Sequence, residues 1–137
     1  MEKELIITKT RQRRKYRSNQ VLVNSFDLPA IIAELKQKQT WANGELKTKV
    51  LLKNPEKQII LTAMKESTEI DSFQANDSIT FQIMEGKVRF HIRNESVTLG
   101  KGQFFTIHEN IKYRFITKKE SVLLVTINGG IIQMSNN

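Results

Sequence analysis

Apolar and polar residues alternate through much of the second half of this 137-residue chain. In "KVRFHIR", Val88, Phe90 and Ile92 fall on one side, and Lys87, Arg89, His91 and Arg93 fall on the other. That period of two is the mark of a half-buried β-strand. Similar patterns, separated by turn residues, predict strands at 46–53, 58–64, 79–85, 87–93, 95–99, 103–107, 111–117 and 121–128. The intervening turns read "NPEK", "EG", "RNE", "GKG", "HEN" and "TKKE". Short strands at regular spacing, with no helix between them, predict a sandwich or closed barrel.

The period changes upstream. Leu28, Ile31, Ile32 and Leu35 recur at i, i+3, i+4 and i+7, which predicts an amphipathic helix over 28–38. Asp27 stands at the N-cap, and Pro29 is tolerated in the first turn because its missing N–H would be unpaired there. Asn43-Gly44 breaks the chain after the helix. "VLVNSF", before it, reads as a strand or extended lead-in. The expected organisation is a polar arm over 1–20 and a single domain over 21–137, with its barrel at about 45–128.

Charge separates the arm from the body. Residues 1–20 hold seven Lys/Arg against Glu2 and Glu4, whereas the rest holds fifteen against twelve acids. The surplus is therefore +5 in the arm and +3 in everything else, out of a total of +8. In "RQRRKYR", Arg11, Arg13, Arg14, Lys15 and Arg17 could neutralise phosphates, with Tyr16 as a stacking ring. A solvated arm is the simpler reading. Cysteine is absent, which excludes disulfides, thiol nucleophiles and thiolate metal sites. "MEKELIITKTRQRR" lacks the pattern of a signal peptide, and "VLLVTI" is too short to span a bilayer. A cytoplasmic location with no membrane partner is expected.

The "IMEGKVRFHI" turn, the "LGKGQFFTI" segment and "HENIKYRF" followed by "SVLLVTI" resemble the cupin family of antiparallel jelly-roll barrels. The resemblance covers about 45–128 and implies an all-β barrel with one N-terminal helix. The family's first motif ends on a glycine, which Gly86 matches. Counting back places Ser67 at the first glycine, Phe73 and Ala75 at the two histidines, and Ile79 at the glutamate. The longer spacing puts Ser72 and Gln74 at the histidines instead. In the second motif Gly102 fits the first glycine. His108 then falls on the proline, Asn110 on a glycine, Tyr113 on the ligand histidine and Thr117 on the asparagine. The turn glycines survive and all four metal ligands are replaced. A cupin metal site needs imidazoles and a carboxylate converging on one point, so no metal and no cofactor are expected.

Other chemistry is sparse. His91 sits on the charged side of its strand and His108 in a turn, so the only two histidines read as unrelated. Gly100 and Gly102 lack Walker spacing, no nucleophile elbow occurs, and the sequons "NDS" and "NES" carry meaning only in a secreted protein. Tyr113 alternates with Ile111 and Phe115 and should point inward. The expected function is a non-catalytic, metal-free cupin. It would bind a small polar ligand or a protein partner through a barrel pocket lined by Phe73, Ala75, Ile79, Phe81 and Tyr113. A nucleic-acid-associated protein using the arm is the alternative, and a cupin enzyme of unknown reaction the second alternative. A homodimer is expected, because cupins commonly pair through barrel edges.

Overall fold

A computed structural model describes residues 16–18, 21–37, 46–74, 78–108 and 111–129. The chain divides into two compact units, residues 1–34 and 35–137. In the first, β1 (Tyr16–Ser18) pairs antiparallel with β2 (Val21–Val23). This short hairpin takes up the end of the expected arm. The segment "LIIT" and Arg11, Arg13, Arg14 and Lys15 lie outside the described residues.

Helix α1 (Leu28–Gln37) starts as the sequence predicts. The Asp27 carboxylate accepts from the Ala30 amide at 3.2 Å, and the Asp27 carbonyl takes the first helical bond from Ile31. That cap satisfies one of the donors a helix start leaves unpaired. Ile31, Ile32 and Leu35 are buried, as their spacing requires. No helix among the described residues is long and apolar enough to cross a membrane.

Among its described residues the second unit has nine strands: β3 (Lys47–Asn54), β4 (Lys57–Met64), β5 (Glu69–Gln74), β6 (Ser78–Glu85), β7 (Lys87–Ile92), β8 (Glu95–Gly100), β9 (Phe104–His108), β10 (Ile111–Thr117) and β11 (Ser121–Asn128). They form two antiparallel sheets, ordered β5-β10-β7-β8 and β3-β4-β11-β6-β9. This is the expected all-β jelly roll. β10 and β11 are neighbours in sequence, yet each sits inside a different sheet.

Eight strands lie where the alternation placed them, within a residue or two. The ninth, β5, is not among the strands that alternation predicts. "EIDSFQ" hydrogen-bonds only to β10, as an edge strand, with Glu69 facing Ile116 and Gln74 facing Ile111. Its sole strongly apolar positions, Ile70 and Phe73, are three apart and show no period of two.

Register fixes the faces. Phe90 pairs with Phe115 on one side and Val97 on the other, and these turn toward the opposite sheet. From that sheet come Ile79, Phe81, Ile83 and Leu123. An aromatic group fills the interior: Phe81 lies 5.0 Å from Phe90, 5.5 Å from Tyr113 and 5.8 Å from Phe115, centroid to centroid. Tilted and edge-on pairs of this kind add to the burial term itself.

Turns are held by specific bonds. Ser121, fully buried, donates from its hydroxyl to the Lys119 carbonyl at 2.7 Å and accepts from the Lys87 amide at 3.2 Å. Thr117, also buried, accepts from the Thr68 amide at 2.8 Å and donates to the Lys65 carbonyl at 2.7 Å. The end of β10 is thereby clamped to the turn between β4 and β5.

Candidate functional site

Of the five residues expected to line a barrel pocket, Ile79, Phe81 and Tyr113 can be followed at the level of side chains among the described residues. Ile79 and Phe81 on β6, and Tyr113 on β10, belong to the continuous core. Phe73 is the penultimate residue of β5 and pairs with Lys112. Ala75 lies outside the described residues. Ile79 pairs with Ile107 and Ile127 on its two neighbouring strands, so apolar side chains surround the position that the resemblance assigns to a carboxylate.

Tyr113 is 9% exposed. Burial pushes its phenol above the ordinary value, and the Ser72 hydroxyl pulls part of the way back. A phenol held protonated is a poor metal ligand, and isoleucine offers no donor atom. No group of three or more His, Asp or Glu side chains suited to a metal ion occurs among the described residues. The residues at Ile79 and Tyr113 thus do not fit the metal that a cupin site implies, because the donor set is missing.

One open space lies between the sheet edges β8 and β9. A cleft of about 530 Å³ has Phe90 and Phe105 at its base, 5.0 Å apart by ring centroids. Ile92, Val97 and Ile111 form its walls, and these, with Phe105, are only partly buried although they pack on the core. Glu95, Ser96 and His108, all exposed, stand at the rim. His108 is the last residue of β9, not part of a turn. Sequence reading missed the cleft because β8 and β9, though consecutive in the chain, are the edges of two different sheets, which alternation does not reveal. The half-exposure of Ile92 and Val97 cannot be told from burial by alternation alone.

His91, on the outward face of β7, borders a second concavity of about 490 Å³ with Asp71, Arg93, Lys112 and Arg114. The two histidines therefore serve different surfaces, as expected. Ser72 and Tyr113 also contribute to this wall.

No protein-family model matches the sequence, and no curated protein matches it by sequence. Solved structures do. The Cnp3 cupin domain of Schizosaccharomyces pombe superposes with a TM-score of 0.67 at 15% identity, over 88% of this chain and 89% of that one. The fold is that of a cupin. A cupin-2 domain protein from Shewanella frigidimarina gives a TM-score of 0.60 at 16% identity, over 75% of this chain and 93% of its own. A conserved protein of unknown function from Streptococcus pyogenes gives 0.60 at 13% identity, over 89% and 97%.

Three turn positions that the resemblance singled out have left-handed backbones. Gly86 and Gly102 have φ of 94° and 86°, and Ser67, at the first glycine position, holds φ of 67°. At Ser67 the Thr117 carbonyl accepts from the backbone amide at 2.8 Å.

Proposed function

We propose that this cupin is a binding protein whose ligand enters the cleft between β8 and β9. The observation that carries the reading is the cleft's make-up: an aromatic base, aliphatic walls and a polar rim on one side. Its volume of about 530 Å³ falls within the roughly 300–1,000 Å³ of small-molecule sites. The ligand expected from those walls has an apolar body and a single polar head, met by Glu95, Ser96 or His108. This narrows the small polar ligand expected from the sequence. Ile79 and Tyr113 at metal-ligand positions support binding over metal-dependent catalysis.

The test uses anilinonaphthalene sulfonate, an apolar fluorophore with one anionic group. Saturable binding near one per chain is expected. It should be lost in Val97→Arg, which places charge in a wall, and kept in Phe104→Ser, which alters an exposed ring outside the cleft. Loss in Phe104→Ser with retention in Val97→Arg, both folded by circular dichroism, would reject the cleft.

The homodimer remains part of this proposal. Leu46 and Val50, at the β3 edge, are 43% and 49% exposed, an apolar surface that a second copy would cover. A monomer mass by light scattering at working concentration removes this element.

A further inference from the structure

Counted along the sequence, residues 21–137 are nearly balanced, with fifteen Lys/Arg against twelve acids. Folding does not spread that surplus evenly. The outward face of the four-stranded sheet carries Lys87 and Arg89 on β7, Arg93 just beyond its end, and Lys112 and Arg114 on β10, all exposed. Against these five cations stand Glu69 and Asp71. The cations occupy the two central strands and the turn from β7 to β8, while both acids lie on the edge strand β5. This single face thus carries +3, equal to the surplus of the whole body.

The arrangement is ordered. Arg114 faces Asp71 on one side and His91 on the other. Glu69 reaches Arg114 at 3.7 Å, both about half exposed, so it screens the cation weakly. No ion pair to Lys87, Arg89, Arg93 or Lys112 occurs among the described residues. Arg93 adopts φ of 56°, a left-handed conformation that glycine or asparagine would hold at less strain. It borders the concavity of about 490 Å³ together with Lys112 and Arg114.

We infer that this face binds the phosphate backbone of a nucleic acid. Lys87 and Arg89, like Lys112 and Arg114, are two residues apart on one strand, about 6.8 Å, and the two strands lie about 4.8 Å apart, with His91 and Ile116 interrupting the rows. That gives two parallel rows of charge, able to meet several phosphates of an extended chain at once. Arginine matches phosphate oxygens with two parallel N–H donors, which makes Arg89 and Arg93 the stronger contacts. A folded protein partner fits less well. Such interfaces are anchored by large apolar side chains, and among the described side chains of this face none is strongly exposed. Contacts to phosphate alone carry no base information, so binding is independent of sequence. None of its residues belongs to the basic run at Arg11–Arg17 in the sequence.

The experiment titrates the full chain with a labelled 20-base-pair DNA duplex across a series of salt concentrations. Affinity should fall steeply with salt, with a slope near −0.9 per phosphate neutralised. The triple variant Arg89→Gln, Arg93→Gln, Lys112→Gln should flatten that slope by about 2 to 3 and weaken binding at least about tenfold at 0.1 M salt. The variant Lys49→Gln, Lys53→Gln, Lys57→Gln removes the same charge from exposed positions in the other sheet and should change both far less. Equal loss in the two variants, unchanged binding in the first, absence of salt-dependent binding by the full chain, or stronger competition by polyglutamate than by DNA would each overturn the inference.

Discussion

The Ser121 hydroxyl and backbone occupy the space that a side chain on Gly86 would need. A Cβ built there would overlap Ser121 Oγ and the Glu120 carbonyl, and would lie 2.7 Å from Ser121 Cα. The turn between β6 and β7 is thus closed against the start of β11, and Ser121 bonds the Lys87 amide across the contact. Gly86→Ala should combine backbone strain with overpacking and lose about 3 kcal/mol or more. Gly102 has a similar φ of 86° but nothing within 4 Å, so Gly102→Ala should lose only about 1–2 kcal/mol. Urea midpoints for the two variants check the ranking, and a smaller loss at Gly86 would refute the close approach.

Ser67 offers the opposite sign. It holds a left-handed conformation that costs a non-glycine residue about 1–2 kcal/mol. Glycine relieves that strain but loses more chain entropy on folding, by about 0.5–1 kcal/mol. Ser67→Gly should therefore raise stability by about 0.5–1 kcal/mol, read from the same denaturation curves. Thr117→Val leaves the Thr68 amide without its 2.8 Å partner and should lower stability by about 1–3 kcal/mol.

Two groups make the fold sensitive to alkali. Burial opposes the charge on Lys36, but Glu85 at 2.6 Å and Glu120 at 3.4 Å outweigh it and hold the ammonium above its ordinary 10.5. Burial holds the Tyr113 phenol above 10.0. In each case the folded chain keeps a proton that the unfolded chain has released. Stability from these groups is fully present below about pH 10 and is lost as pH rises through the folded values. Lys36→Met and Tyr113→Phe should each flatten the fall in melting temperature between pH 9 and about 11.5. An unchanged alkaline slope in both variants would show that neither residue governs it.

Most of the barrel was legible because its strands bury one face. "KVRFHI" and "IKYRFI" alternate cleanly, and Phe90 and Phe115 meet in the core as that pattern requires. β5 was illegible for the same reason. As an edge strand it pairs on one side only, and its sequence, "EIDSFQ", carries no apolar period of two. Counting from Gly86 on the cupin resemblance assigns expected ligand positions at Ile79 and at either Phe73 and Ala75 or Ser72 and Gln74. Neither the cleft nor the basic sheet face could be located in this way. Each depends on which edges and rows the register brings side by side, and residue totals average that away.

The strand order also has a consequence for synthesis. β10 supplies the partner that joins β5 to β7, and β11 the one that joins β4 to β6. Until residues 111–128 have left the ribosome, both sheets stand split, each with two open edges at its centre. Pairings this distant along the chain close slowly, and open edges invite association with other chains. A nascent chain stalled before Ile111 should therefore be protease-sensitive and retained by chaperones, and one released after Asn128 should become resistant in a single late step.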